Sequence, residues 1–267
     1  MLSFPFAKIN IGLRVVEKRP DGYHSIETLF YPVFGLYDSL EWIESSKLIF
    51  ESSGIVIDGD AESNLCVQAW KMLHQKFSIP PIHVFLQKRI PLGAGLGGGS
   101  SDAAHMLKSL VSYYSLPVSS QELHAMALFL GSDCPFFLHK KPLIGQGRGD
   151  EFTDVSFSLQ GYWLVLANPG IHINTAQAFQ HIVPQKQAIG IQSIISQPIS
   201  EWSLHLHNDF ETSVFASYPQ IESLKKDMYK HTALYAAMSG SGSTVFGIFE
   251  KPPLLPQDFP IVWQGFV

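Results

Sequence analysis

The chain has 267 residues, with 18 Lys and Arg against 23 Asp and Glu, a formal net charge of −5. Hydrophobic residues make up 46%, enough for a sizeable core, while charged residues are only 15%, well under the roughly 25% of ordinary globular chains. That excludes a disordered, charge-solvated chain, and a pI near 6.1 argues against a nucleic-acid binder, whose footprint is a basic excess. Two cysteines, Cys66 and Cys134, make neither a disulfide framework nor a zinc site of the usual spacing. The first six residues lack the basic region and apolar run of a signal peptide. Residues 155–185 carry no charge, yet their longest apolar run, 162–167, falls far short of the ~20 residues of a spanning helix. A soluble, cytoplasmic chain with no membrane partner is expected.

In chain order, the clearest strand comes first. Ile9, Ile11, Leu13 and Val15 alternate with Lys8, Asn10, Gly12 and Arg14, so one face is apolar and the other carries Lys8 beside Asn10. Pro20-Asp21-Gly22 is a turn, and residues 23–33 read as a second extended run. Glu62-Ser63-Asn64 opens a helix with apolar residues at Cys66, Ala69, Trp70, Leu73 and Phe77. Residues 82–90 form a strand that runs into a glycine-rich loop. Ala103, Ala104, Leu107, Leu110 and Val111 then mark a helix capped by Ser100 or Ser101. Ser119-Ser120-Gln121-Glu122 is a capping box, and Gly131 stands where the next helix should end. The second half predicts a strand at 162–167, an Asn168-Pro169-Gly170 turn, a short helix near 175–182 and a helix near 220–231. Two strands flank Ser239-Gly240-Ser241-Gly242-Ser243. A boundary falls near residues 150–158, giving domains of 1–152 and 153–267.

The loop Pro91-Leu92-Gly93-Ala94-Gly95-Leu96-Gly97-Gly98-Gly99-Ser100-Ser101 has five glycines in seven residues. Glycine costs conformational entropy and adds no packing, so such a cluster belongs where a backbone must approach a ligand closely. Its strand-to-helix position turns free N–H groups and a positive dipole end toward an anion. A dinucleotide fingerprint fits Gly93, Gly95 and Gly98, but the preceding strand is amphipathic and the motif lies 90 residues into the chain. No Gly-Lys-Ser/Thr or protein-kinase triplet is present. His205 and His207 share a strand-like spacing without a third ligand, so no metal site is expected.

The loop resembles the phosphate loop of the GHMP kinases. Three further segments resemble the 4-diphosphocytidyl-2-C-methyl-D-erythritol kinase family within them. These are Ala7-Lys8-Ile9-Asn10-Ile11-Gly12-Leu13 with Arg19-Pro20-Asp21-Gly22-Tyr23-His24, then residues 130–137, then Met238-Ser239-Gly240-Ser241-Gly242-Ser243. Order and spacing agree over nearly the whole chain. Cys134, Lys140 and Pro142 depart from the usual pattern without touching acidic or basic residues expected to act.

The resemblance implies an α+β, two-domain fold with the active site in the inter-domain cleft and the last strand packing back on the first domain. It implies an ATP-dependent kinase, using Mg²⁺, that phosphorylates the 2-hydroxyl of 4-diphosphocytidyl-2-C-methyl-D-erythritol in non-mevalonate isoprenoid synthesis. Residues 91–101 would bind ATP, Asp133 would accept the hydroxyl proton, and Lys8 would orient and stabilise the nucleophilic oxygen. Asn10, Tyr23, His24, Thr175 and Phe179 would bind substrate, with Tyr23 and Phe179 sandwiching cytosine and His24 bonding its edge. By residue type alone, Asp133 reads as an N-cap, Lys8 as a solvated strand lysine, and Tyr23 and Phe179 as core aromatics. The rival activities are another GHMP kinase, acting on homoserine or a mevalonate derivative, and a non-catalytic nucleotide-binding module.

Overall fold

The alternation at the start of the chain becomes a 13-residue strand, Phe6–Lys18, in a computed structural model that describes every residue except 175–177 and 180–181. Its polar face is not solvated. Lys8, Asn10 and Arg14 are each 2–3% exposed, because hydrogen bonds enclose them. Arg14 Nη1 donates to Ile189 O at 2.5 Å and Nη2 to His205 O at 3.0 Å. The Pro20-Asp21-Gly22 turn is closed by Arg19 N donating to Tyr23 O at 2.8 Å, with Gly22 at φ +84°. It feeds the strand His24–Tyr37.

The chain divides into two compact units. One comprises Lys8–Gly35, Gly93–Leu96 and Lys141–Val267. In it, strands Phe6–Lys18, His24–Tyr37, Leu143–Gln146 and Glu151–Asp154 lie side by side in that order. A second sheet is antiparallel, in the order Tyr235–Met238, Val245–Phe249, Trp163–Ala167, Ile261–Phe266. The helix Pro219–Lys230 buries Ile221, Leu224 and Met228 against Val165, Ala236 and Val245, and Leu13 and Val15 join the same core. The last strand pairs with Trp163–Ala167, while its Trp263 lies over Gly35, where a Cβ would collide with the indole. Most of the helix expected at 175–182 lies outside the described residues.

The other unit comprises Met1–Ala7, Leu36–Leu92 and Gly97–Lys140. Its sheet runs Leu2–Ser3, Ser39–Glu44, Ile82–Lys88, Ile49–Gly54, with the last pair parallel. Three helices, α1 (Leu65–Phe77), α2 (Gly98–Tyr113) and α3 (Ser120–Leu130), pack with it around Trp42, Trp70, Leu73, Val84, Leu107 and Leu110. Asn64 caps α1 by accepting from Cys66 N at 2.9 Å. Ser119 caps α3 at Glu122 N, 3.2 Å, but the Glu122 side chain pairs with Lys76 instead of closing the box.

The single cut expected at residue 152 does not describe these units. Leu13 and Val15 find their apolar partners after residue 160, so the opening hairpin groups with the second half of the chain.

Candidate active site

Glycine is required in the loop for two different reasons. Gly93, Gly95 and Gly97 sit at φ +58°, +76° and +70°, a region that side chains with a Cβ rarely adopt. Gly95 also lies flat against the Ser239 carbonyl, and a Cβ there would collide with that backbone. Ser239 Oγ donates to Gly95 O at 2.8 Å, and Thr244 N donates to Ala94 O at 3.2 Å. The serine–glycine segment noted in the sequence is therefore the floor under this part of the loop.

The helix after the loop starts earlier than expected. Its N-cap is Gly97, with no side-chain hydrogen bond, and Ser100 and Ser101 lie inside the first turn. The cap assignment to those serines is corrected: Gly97 reaches the left-handed conformation that no serine takes cheaply. The consequence favours an anion, because no side chain competes for the amides at this helix end. Ser101 is fully buried, its N–H bonds Gly97 O at 2.9 Å, and its hydroxyl is 3.5 Å from His105 Nδ1. Ser100 is only half-buried, and its hydroxyl is 3.8 Å from the Cβ position of Gly131 and hydrogen-bonds the Cys134 thiol.

That contact sets α2 against the turn that carries Asp133. Gly131 ends α3 at φ 172°, an extended conformation open to any residue, so the expected left-handed cap is absent. Glycine is needed there for closeness: a Cβ would stand 3.2 Å from Cys134 Sγ. Asp133 precedes the 3-10 helix Cys134–Leu138 with αR backbone (φ −82°, ψ −17°) and makes no capping bond. Burial, reinforced by the Asp133 charge and opposed by the Ser100 bond, pushes the Cys134 thiol up to about 12, so the thiol stays inert.

Lys8 is not a surface lysine. Its Nζ donates to Asn10 Oδ1 at 2.6 Å and to Gly95 O at 3.1 Å, 5.5 Å from the Phe30 ring centroid. Asn10 Nδ2 donates to Thr28 Oγ1 at 3.1 Å, so both ends of the Asn10 amide are engaged in holding Lys8. Asn10 thereby acts on Lys8 rather than presenting its amide outward.

His24 and Phe179 stack face to face, with centroids 4.7 Å apart and planes 13° from parallel. One face of the Phe179 ring is thus covered by His24, the residue expected to bond the edge of the base. Burial first, and then the Lys18 charge, lower the His24 pKa below 6.5, which favours a neutral imidazole. Tyr23 is exposed, with the Arg148 guanidinium 3.8 Å over its ring. Phe179 is partly buried against the core, as its bland assignment holds, whereas Tyr23 is not. Thr175 lies outside the described residues.

A cavity of about 300 Å³ was not foreseen from the sequence. Phe50, Ile57, Leu65 and Leu92 give it apolar walls, and Asn64, Lys88, Gly99 and Asp102 border it. Lys88 ion-pairs with Asp38 and with Asp102, the latter at 2.7 Å, and all three side chains are at most 4% exposed. In sequence Lys88 is one charge on an amphipathic strand, and no sequence signal separates this cluster from ordinary surface charge. Among the described residues no group of three His, Cys, Asp or Glu is gathered to cage a metal.

The descriptions "GHMP kinases N terminal domain" and "GHMP kinases C terminal" match residues 64–141 and 192–257. A 4-diphosphocytidyl-2-C-methyl-D-erythritol kinase from Cytophaga hutchinsonii is 49% identical over 254 residues, covering 95% of this chain and 94% of that protein. The chain belongs to this kinase family. A crystal structure of 4-(cytidine 5'-diphospho)-2C-methyl-D-erythritol kinase superposes with TM-score 0.79 at 30% identity, over 94% of this chain and 91% of that one. The Methanococcus jannaschii mevalonate kinase, at 14% identity and TM-score 0.69 over 93% and 90% of the two chains, shares the fold alone. As a GHMP kinase, the chain is a small-molecule kinase of α+β fold. None of its described helices is long and apolar enough to cross a membrane.

Proposed function

We propose that this kinase transfers the γ-phosphoryl group of ATP to the 2-hydroxyl of 4-diphosphocytidyl-2-C-methyl-D-erythritol in the cytoplasm, as a step of non-mevalonate isoprenoid synthesis. The observation that carries this is the helix N-terminus at Gly97, left without a side-chain cap, with the turn that bears Asp133 set against the same helix through Ser100 and Cys134. Residues 92–99 offer backbone amides to the ATP phosphates after Pro91 opens the loop, with Ser100 contributing a hydroxyl and Ser101 supporting the turn from within. The apolar cavity bordered by Asn64 suits the adenine end of the nucleotide, since its polar border is acidic and disfavours phosphate.

In the transfer, the substrate oxygen forms a bond to the γ-phosphorus while the bond from that phosphorus to the bridging oxygen of ADP breaks. Asp133 accepts the hydroxyl proton, and Lys8, held by Asn10, stabilises charge on the attacking oxygen. A Mg²⁺ ion would neutralise charge on the β- and γ-phosphates. The lack of a protein cage fits this ion, which keeps water and phosphate as most of its ligands, with Ser100 or Asp133 as candidate protein oxygens.

For the base, a neutral His24 offers one donor and one acceptor, the pattern a cytosine edge requires, and its stack on Phe179 fixes the ring plane. Tyr23 supplies the stacking surface. The deciding experiment is a coupled ADP-release assay with the diphosphocytidyl substrate, homoserine and mevalonate in parallel, plus competition by CMP and UMP. Turnover confined to the first, with CMP the better inhibitor, is expected. Turnover of homoserine or mevalonate instead, or equal inhibition by CMP and UMP, would refute the substrate or the base assignment respectively.

A further inference from the structure

The glycine loop is joined at each end to one buried charged cluster. Lys88 is the last residue of the strand Ile82–Lys88, and Asp102 lies in the first turns of α2. Lys88 Nζ donates to Asp102 Oδ2 at 2.7 Å and also to Asp38 Oδ2. The other oxygen of Asp38 accepts the backbone N–H groups of Arg89 at 2.6 Å and Ile90 at 2.9 Å, where the chain leaves the strand. The ammonium also lies 3.2 Å from the Cβ position of Gly98, the first residue of the helix, with Ile90 alongside. Asp102 Oδ1 is buried with no hydrogen-bond partner, and the residue borders the cavity.

Stability alone is a poor reason for such a cluster. Desolvating three charges is costly, and apolar replacements of buried ionic groups are often neutral or stabilising. Burial pushes the Asp102 carboxyl up to about 7, against the pull of Lys88, so the ionised form is costly at this place. What the cluster does supply is geometry. A segment with three residues at positive φ has little stiffness of its own, and a loop that must order itself on binding loses affinity by that amount.

We propose that Lys88, Asp38 and Asp102 form a buried ionic brace that fixes the strand end and the helix start of the glycine loop relative to each other and so sets its affinity for the triphosphate. Lys88 and Asp102 are positioning residues in this scheme, which rests on the loop being the ATP phosphate site.

The test is calorimetry of ATP and of adenosine on wild type, Asp102→Asn and the double variant Lys88→Met/Asp102→Leu, each checked for cooperative unfolding. The double variant removes the charges of Lys88 and Asp102 together and leaves Asp38 to the backbone N–H groups of Arg89 and Ile90. Its ATP affinity should fall by about tenfold or more beyond any fall for adenosine, whose proposed cavity Lys88 and Asp102 also border, as for a loop that must be ordered on binding. Asp102→Asn, which keeps the shape, should lose less ATP affinity and decides the matter if the double variant does not fold. Wild-type ATP affinity in a folded variant overturns the brace. So does an equal loss for adenosine, which would mark a direct contact with the nucleoside. Failure of wild type itself to bind ATP is a separate result and removes the phosphate-site assignment instead.

Discussion

At the scale of single residues, two side chains change meaning once their surroundings are known. The carboxylate of Asp133, which makes no capping bond, is the proposed base. Asp133→Asn should keep the fold and ATP affinity while lowering turnover by about 10²–10⁴-fold, the range of general-base assistance. Near-native turnover in that folded variant, measured by ADP release, would remove Asp133 from the chemistry. His105 carries a different prediction. Burial, aided by Lys108 and Lys140 and opposed by its bond to Ser101 O, lowers its pKa from 6.5 to about 4. The unfolded chain therefore binds the proton more readily between those values, so stability is lost as pH falls through that window. The loss approaches ~3 kcal/mol at its lower end, from a shift of about 2.5 units at 1.36 kcal/mol each. Denaturant unfolding from pH 7 to 4 should show a shallower decline in His105→Gln than in wild type. Parallel curves for the two proteins would show that His105 does not titrate in this range.

At the scale of elements, local signals were readable wherever one residue's own chemistry decides the structure. The cap at Asn64, the cap at Ser119 and the Pro20-Asp21-Gly22 turn all formed where their side chains dictate. The short strands Ser39–Glu44, Ile49–Gly54 and Glu151–Asp154 are absent from the sequence-based elements, because pairing with neighbours decides segments this short. The start of α2 was misread for a related reason: a left-handed glycine cap leaves no polar side chain to notice. Lys8 and Asn10 were legible as a pair, but the burial of their face depends on residues 95, 28 and 239, far away in sequence. The same geometry ranks the loop glycines. Gly97→Val should strain a residue at φ +70° by about 1–3 kcal/mol and weaken ATP binding. Gly98→Val should act through Ile90 and Lys88, which already fill its Cβ position. Unchanged ATP affinity in both variants by calorimetry would contradict the placement of the phosphates at this loop.

At the scale of the whole molecule, the order of the chain and the order of the cores differ. The matched N-terminal and C-terminal family segments, 64–141 and 192–257, lie on either side of residue 152. Yet the opening strand belongs with the later residues. Leu13 and Val15 are 4% and 0% exposed in a core built mainly from residues 163–249. Val15 N donates to Asp209 Oδ2 at 2.7 Å, and Leu13 N donates to His207 O at 3.1 Å. Arg14 spans between these with its two carbonyl bonds at Ile189 and His205. Fragment 153–267 would lack all of these partners, and a fragment 1–152 would expose Leu13 and Val15 to water. Each of those side chains contributes roughly 1.5–3 kcal/mol when buried, a sizeable part of a total stability of about 5–15 kcal/mol. Fragment 153–267 should therefore not unfold cooperatively when produced alone, and should regain a sigmoidal urea transition only when the N-terminal one is supplied. A cooperative transition for isolated 153–267, followed by circular dichroism, would mean that the opening hairpin is dispensable to the core it enters.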